Sequence, residues 1–126
     1  NVLAPFTLIQ KLLPFLQKSK QAHIVNISSM GGFQGSSKFP GLSAYSSSKA
    51  ALSGLTERLA EELKPKGIAV NCLAIGAVQT DMLSKAFPGY KAPLQPKQMA
   101  AYIADFALRG TTYFNGKIIP VSSTTP

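Results

Sequence analysis

Two spacings of hydrophobic residues alternate along this chain. In three segments apolar side chains recur every three or four positions, which is the period of a helix with one buried face. These segments predict helices over residues 2–17, 44–63 and 95–108. The first segment is so apolar that its helix is predicted to be mostly buried, with Pro14 able to kink or shorten the last turn.

Three shorter apolar runs, rich in β-branched residues, follow these helical segments. Their composition is typical of buried strands, which we predict over residues 23–28, 68–74 and 117–121. The intervening segments 29–43 and 75–94 contain Gly, Ser and Pro residues and are predicted to be loops.

The order helix, strand, helix, strand, helix, strand predicts an α/β fold. Right-handed crossovers would place the three strands in one parallel sheet with helices on both faces, which is half of a doubly wound fold. The chain has 126 residues, 45% of them hydrophobic, which is enough for one core. No internal repeat or second domain is evident in the sequence.

The composition argues against nucleic-acid, membrane and metal partners. The net charge is +8, from 13 Lys and Arg against 5 Asp and Glu, but the basic residues are scattered singly and no nucleic-acid partner is predicted. No apolar run approaches the roughly 20 residues of a membrane helix, so no membrane partner is predicted either. Cys72 is the one cysteine and His23 the one histidine, so we expect no disulfide, no metal site and a cytoplasmic location. Cys72 is predicted to be a small buried hydrophobe in a strand.

Tyr45 and Lys49 are the first residues that suggest a chemistry. They lie four positions apart on the second predicted helix and therefore share one face. A tyrosine with a pKa of about 10 is a poor acid–base catalyst at neutral pH, and a nearby ammonium improves it by stabilising the phenolate. Tyr113 and Lys117 have the same spacing, but Asn115-Gly116 predicts a turn that separates them.

Three ordered motifs resemble those of the short-chain dehydrogenase/reductase family. They are Ile24-Val-Asn-Ile-Ser-Ser-Met-Gly-Gly, Tyr45-Ser-Ser-Ser-Lys49-Ala-Ala-Leu and Val70-Asn-Cys-Leu-Ala-Ile-Gly-Ala-Val-Gln-Thr80-Asp-Met. The resemblance covers essentially the whole chain. It implies a Rossmann-like doubly wound sheet and an oxidoreductase that moves hydride between NAD or NADP and a small carbonyl or alcohol substrate.

The resemblance also implies catalytic roles for particular residues. Ser29 would hydrogen-bond the substrate oxygen, and Tyr45 would be the general acid or base. Lys49 would assist Tyr45 and hold the nicotinamide ribose, and Asn1 would complete a proton relay.

The third motif implies the rest of the site. Its loop would bind the nicotinamide through Ile75, Gly76, Val78 and Thr80. Residues 82–94 would form a mobile lid, with Met82 and Phe87 among the contacts to a partly apolar substrate. The alternative for these lid side chains is packing against their own domain.

The resemblance further implies a homo-oligomer, because helices 2–17 and 44–63 are similar to those that form a four-helix dimer interface in the family. This chain departs from the family pattern in several places. Ile75 stands where proline is usual, residues 36–41 look like an insertion, and Pro120-Val-Ser-Ser replaces Asp-Gly-Gly. The family's Gly-rich pyrophosphate turn is not in this sequence, so residues 1–126 are expected to be the C-terminal half of a single Rossmann-fold reductase domain.

Two functions from different classes therefore stay open. The first is a short-chain oxidoreductase in the full-length parent. The second is a catalytically inactive fragment that acts as a structural or dimerisation unit. A serine hydrolase is disfavoured, because no G-x-S-x-G motif occurs and His23 is the one possible base.

Overall fold

A computed structural model of the chain describes residues 1–124. The helices are α1 (Leu3–Leu16), α2 (Ser43–Leu63), α3 (Asp81–Ala86) and α4 (Pro96–Arg109). The strands are β1 (Ala22–Ser29), β2 (Ile68–Ile75) and β3 (Ile118–Val121). Within residues 1–124, none of the helices is both long enough and apolar enough to cross a bilayer.

The predicted α/β fold is confirmed. β1 runs parallel to β2, with Ala22 opposite Ile68 at one end and Ser29 opposite Ile75 at the other. β3 pairs in parallel with the opposite edge of β2, so the strand order is β1-β2-β3. The carboxyl ends of all three strands therefore lie at one edge of the sheet.

Helices cover both faces of this sheet. On one face, Ile9 of α1 and Leu59 of α2 form a buried core with Ile68 and other strand residues. On the other face, Phe106 of α4 packs against His23 of β1, with the two rings 5.5 Å apart. Successive strand residues point to opposite faces, so neighbouring positions of β1 reach the two helical layers.

The prediction that the first helix is mostly buried is wrong. Ile9 is the one buried residue of α1, whereas Leu8, Leu12 and Phe15 are 57%, 41% and 68% exposed. The helix buries a single stripe, and no element within residues 1–124 covers the other apolar side. Pro14 does not end the helix, which continues to Leu16.

The two segments predicted as loops contain short regular structure. Residues 75–94 include α3, where the Thr80 hydroxyl accepts a hydrogen bond from the Leu83 N–H at 3.2 Å and caps the helix. Residues 29–43 begin with a 3-10 turn, Met30–Gly32, which the Ser29 side chain caps. These elements are too short to give a periodic hydrophobic pattern, and their caps stabilise them locally.

Candidate active site

A cavity of about 440 Å³ opens at the carboxyl edge of the sheet. β1 and β2 end beside it, α2 begins beside it, and α3 contributes one wall. The sequence-predicted site residues that line it are Ser29, Tyr45, Lys49, Ile75, Gly76, Val78, Thr80, Met82 and Phe87. This is the edge where open α/β sheets hold ligands, because loops from several strands converge there.

Ser29 ends β1 at the cavity wall. Its Oγ accepts a hydrogen bond from the Gly31 N–H at 3.1 Å, which fixes the rotamer of the side chain. A hydroxyl that accepts one hydrogen bond still has its proton to donate. Ser29 can therefore donate to an oxygen atom of a ligand in the cavity.

The turn after Ser29 packs directly on α2. A Cβ at Gly32 would lie 2.6 Å from the Ala50 nitrogen and 2.7 Å from the Lys49 Cβ, so a larger residue would push the turn away. This close approach sets the separation between Ser29 and the first turns of α2. Gly32 thereby positions the serine against the helix that carries Tyr45.

Tyr45 and Lys49 face the cavity together from α2. The Lys49 Nζ lies 5.9 Å from the centroid of the Tyr45 ring. It donates a hydrogen bond to the Ile27 carbonyl oxygen at 2.9 Å, its one partner within residues 1–124. An ammonium has three protons, so the lysine keeps donors for a ligand while its charge stays beside the phenol.

Buried polar contacts hold α2 in register with β1. The Ser28 Oγ donates to the Lys49 carbonyl oxygen at 2.8 Å, and the Asn26 Nδ2 donates to the Thr56 Oγ1 at 2.9 Å. Ser28, Asn26 and Thr56 are all buried, so losing either bond would leave an unsatisfied polar group. These contacts fix the position of Lys49 relative to Ser29.

The segment after β2 is tied to the end of β3. The Gly76 N–H donates to the Val121 carbonyl oxygen at 2.9 Å, and a Cβ at Gly76 would overlap the Ser122 side chain. The turn therefore keeps its backbone contact although Ile75 stands where proline was expected. Ser122, from the unusual Pro120-Val-Ser-Ser segment, occupies the space that glycine leaves.

Residues 82–94, which we call the lid, form one wall of the cavity. The Gln79 side chain, just before the lid, bonds to two points within it, because Oε1 accepts from the Ala92 N–H at 2.8 Å and Nε2 donates to the Ser84 Oγ at 3.0 Å. Met82 is 66% exposed, and Phe87 is partly buried. Both side chains line the cavity from the lid.

Asn1 lies outside the set of residues that line the cavity. Its Nδ2 donates to the Ser48 Oγ at 2.9 Å, and that hydroxyl donates to the Tyr45 carbonyl oxygen at 2.7 Å. The side chain therefore contacts α2 beside the catalytic candidates and reaches Tyr45 only through its backbone.

Cys72 is fully buried in β2, as the sequence predicts. Burial raises the pKa of its thiol, and weaker hydrogen bonds from Ser53 and Thr56 partly oppose that shift. The group is therefore a neutral thiol at neutral pH. Its place is in the core and not in the cavity wall.

Sequence reasoning missed the contribution of the segment before α2. The sequence predicts a loop over residues 29–43, with an insertion at 36–41. In the structure this segment lines the cavity together with the lid, through Met30, Phe39 and Leu42. Phe39 is the residue that the sequence could have indicated, since it is a large aromatic side chain inside a run of Ser, Lys, Pro and Gly.

Comparison with known proteins identifies the class. Residues 1–91 match the family described as short chain dehydrogenase, so the chain belongs to the short-chain dehydrogenase family of oxidoreductases. It is 34% identical to Dehydrogenase/reductase SDR family member 4 of Mus musculus over 138 residues. That match covers 100% of this chain and 48% of the mouse protein, so the chain spans about half the length of this relative.

Solved structures give the same class. The Pseudomonas aeruginosa RhlG/NADP active-site complex superposes with a TM-score of 0.78 at 31% identity, covering 96% of this chain and 54% of that one. A 7 alpha-hydroxysteroid dehydrogenase complexed with NADH and 7-oxo glycochenodeoxycholic acid gives a TM-score of 0.85 at 29% identity. Coverage is 99% of this chain and 52% of that enzyme.

Proposed function

We propose that this chain supplies the acid–base half of a nicotinamide-dependent oxidoreductase that interconverts a carbonyl compound and an alcohol. The observation that carries the proposal is the convergence of Ser29, Tyr45 and Lys49 on one cavity at the carboxyl edge of the sheet. The chain would be the C-terminal half of a single Rossmann-fold domain, which agrees with its match to about half of its relatives.

Each of the three residues has a part in the reduction. Ser29 donates a hydrogen bond to the carbonyl oxygen and orients it. Tyr45 then gives that oxygen a proton as the carbonyl carbon is reduced, and the same tyrosine takes the proton back in alcohol oxidation. The Lys49 ammonium lies 5.9 Å from the centroid of the ring, where its positive charge opposes the negative charge that develops on Tyr45 during proton donation.

Part of the cavity lining fits a nicotinamide and its ribose. Ile75 and Val78 provide apolar walls for a flat ring, while Lys49 and Thr80 provide donors for hydroxyl and carboxamide groups. A bound reduced nicotinamide would supply the hydride. Neighbours in complex with NADP and with NADH support NAD or NADP as the cofactor of the parent.

The test is a Tyr45→Phe variant of the full-length protein that contains this chain. We expect a loss of roughly 10²-fold or more in NAD(P)H oxidation with reactive carbonyl compounds, because the proton donor is gone while the ring remains. Cofactor binding, followed by the fluorescence of NAD(P)H, should be retained.

The chain offers a matched control in its second tyrosine–lysine pair. Tyr113 is 80% exposed and the Asn115-Gly116 turn separates it from Lys117, so Tyr113→Phe should leave turnover unchanged. Full turnover by Tyr45→Phe would refute its role as the acid.

We further propose that the parent is a cytoplasmic homo-oligomer in which α1 and α2 pack against a second copy. An exposed apolar row on α1, formed by Leu8, Leu12 and Phe15, supports this assembly. A contiguous row of large apolar side chains is costly to leave exposed to water. The same row is the observation that favours the second candidate function, a dimerisation unit without activity of its own.

A further inference from the structure

Two phenylalanines from different segments meet in the lining of the cavity. The rings of Phe39 and Phe87 are 5.0 Å apart between centroids and are inclined at 74°, which is the edge-to-face geometry that aromatic pairs prefer. Phe39 comes from the segment before α2, and Phe87 follows α3 in the lid. Both line the cavity and both are partly buried.

The segment that carries Phe39 is held by its own polar side chains. The Ser36 Oγ donates to the Phe33 carbonyl oxygen at 2.8 Å and also to the Met30 carbonyl oxygen. The Lys38 Nζ donates to the Phe33 carbonyl oxygen at 2.7 Å and to the Ser36 carbonyl oxygen at 3.2 Å. Phe39 therefore follows a turn that the preceding lysine and serine fix.

The chemistry of the cavity wall limits what it can hold. Among the described residues that line it, Lys49 is the one charged group, and it lies beside Tyr45. Phe39 and Phe87 line it together with apolar side chains such as Leu83 and Leu42 and with the hydroxyls of Ser36, Ser37 and Thr124. A carboxylate against the two rings would have no cationic partner other than Lys49, whereas an apolar ring would bury its surface there.

We propose that Phe39 and Phe87 together select substrates in which the carbonyl or carbinol carbon bears an uncharged, flat or alicyclic apolar group. This inference rests on the proposed function, since it places the reacting oxygen at Ser29 and Tyr45. The substituent then lies against the two rings in the same cavity. Reduction consumes one carbonyl compound, one NAD(P)H and one proton, and yields the alcohol and NAD(P)⁺.

The experiment compares three carbonyl substrates with the full-length protein. Acetophenone carries an apolar ring, acetone carries none, and pyruvate carries a charge. We expect kcat/KM for acetophenone to exceed that for acetone by about tenfold or more, with pyruvate poorest. Phe39→Ala and Phe87→Ala should each reduce the acetophenone preference by about threefold or more, mainly through KM.

Control variants separate the aromatic contact from general damage. Phe39→Leu keeps an apolar side chain and should retain part of the preference, and Tyr113→Ala removes an exposed aromatic residue outside the cavity and should retain all of it. Equal values for acetone and acetophenone, or a preference unchanged in both alanine variants, would overturn the proposal.

A binding measurement keeps this inference separable from the proposed function. Displacement of the neutral dye Nile red by acetophenone is followed by fluorescence and requires no turnover. If no carbonyl compound is reduced but displacement occurs and weakens in Phe39→Ala, the proposed function fails and the apolar site stands. If turnover occurs but displacement is the same in wild type and Phe39→Ala, the proposed function stands and the apolar site fails.

Discussion

His23 of β1 and Asn71 of β2 link the sheet to α4 and to the segment before β3 through a set of directed hydrogen bonds. The His23 Nδ1 lies 3.0 Å from the Ala107 carbonyl oxygen, which can only accept, so Nδ1 carries the proton. The Nε2 then accepts from the Asn71 Nδ2 at 3.0 Å. That amide also donates to the Phe114 carbonyl oxygen at 2.9 Å and is fully buried, so it cannot turn to accept a proton from the ring.

This geometry predicts that stability falls in mild acid. Burial holds the pKa of His23 below its usual 6.5, and the hydrogen bond to Ala107 only partly opposes that shift. The unfolded chain therefore takes up a proton first as the pH falls through about 6.5. The stabilisation is fully present above that pH and is lost below it, down through the lowered pKa of the folded state. The slope is at most about 1.4 kcal/mol per pH unit, and less because the ring is only half-buried.

Urea unfolding of the full-length protein between pH 5 and 8 measures this slope. His23→Gln removes the titrating group and keeps a polar side chain, so its unfolding free energy should vary less over that range than that of the wild type. The same slope in both proteins would show that other groups cause the acid sensitivity.

Gln79 holds the lid through both its side chain and its backbone. The Gln79 side chain bonds to Ser84 in α3 and to Ala92 in the segment that follows α3. The Gln79 backbone N–H donates to the Leu94 carbonyl oxygen at 2.8 Å. The backbone bond joins Gln79, just before the lid, to its last residue, Leu94. The side chain links α3 to the segment that contains Ala92.

Gln79→Ala should loosen the lid without unfolding the sheet. Two side-chain hydrogen bonds worth about 1 kcal/mol each are lost, so amide hydrogen exchange in residues 81–92 should accelerate by roughly 5- to 30-fold. Gln79→Glu keeps the acceptor for the Ala92 N–H and loses the donor to Ser84, whose own proton goes to the Thr80 carbonyl oxygen at 3.1 Å, so its exchange rates should lie between those of the wild type and Gln79→Ala. Exchange rates in Gln79→Ala that equal the wild type would show that the backbone contacts alone order the lid.

At the scale of the described chain, residues 1–124, one face of α1 has no partner. Leu8, Leu12 and Phe15 lie on one side of the helix and are exposed, while the core packs against Ile9. At 100° per residue, the apolar row lies on one side of the buried stripe and Gln10 lies on the other. Substitutions on the two sides can therefore show where a second copy binds.

Leu12→Glu should weaken the proposed homo-oligomer. Placing a charge in an apolar contact costs the burial of the leucine and the hydration of the carboxylate, so the dissociation constant should rise by about tenfold or more. Sedimentation equilibrium of the full-length protein measures it. Gln10→Glu adds the same charge outside the row and should leave the assembly unchanged. Equal shifts in both variants would locate the interface elsewhere.

How far the sequence predicts the site depends on where each residue stands along the chain. Tyr45 and Lys49 were identified because a helix turns spacing along the chain into a shared face. Ser29 and Gly76 were identified through the family resemblance, and the parallel sheet brings both to its carboxyl edge. Phe39 was missed because, although an aromatic residue in so polar a segment is a signal, nothing local predicts which wall an irregular segment will reach.

The sequence by itself determined the alternation of strands and helices, the parallel sheet and the family, since hydrophobic period and motif order are local properties of the chain. Only the tertiary structure decided that α1 exposes an apolar row, that Gly32 lies against α2, and that Phe39 meets Phe87 across the cavity. Those outcomes depend on distances between residues far apart along the chain. Such distances are set by how complete elements pack together, which no periodicity of a single segment encodes.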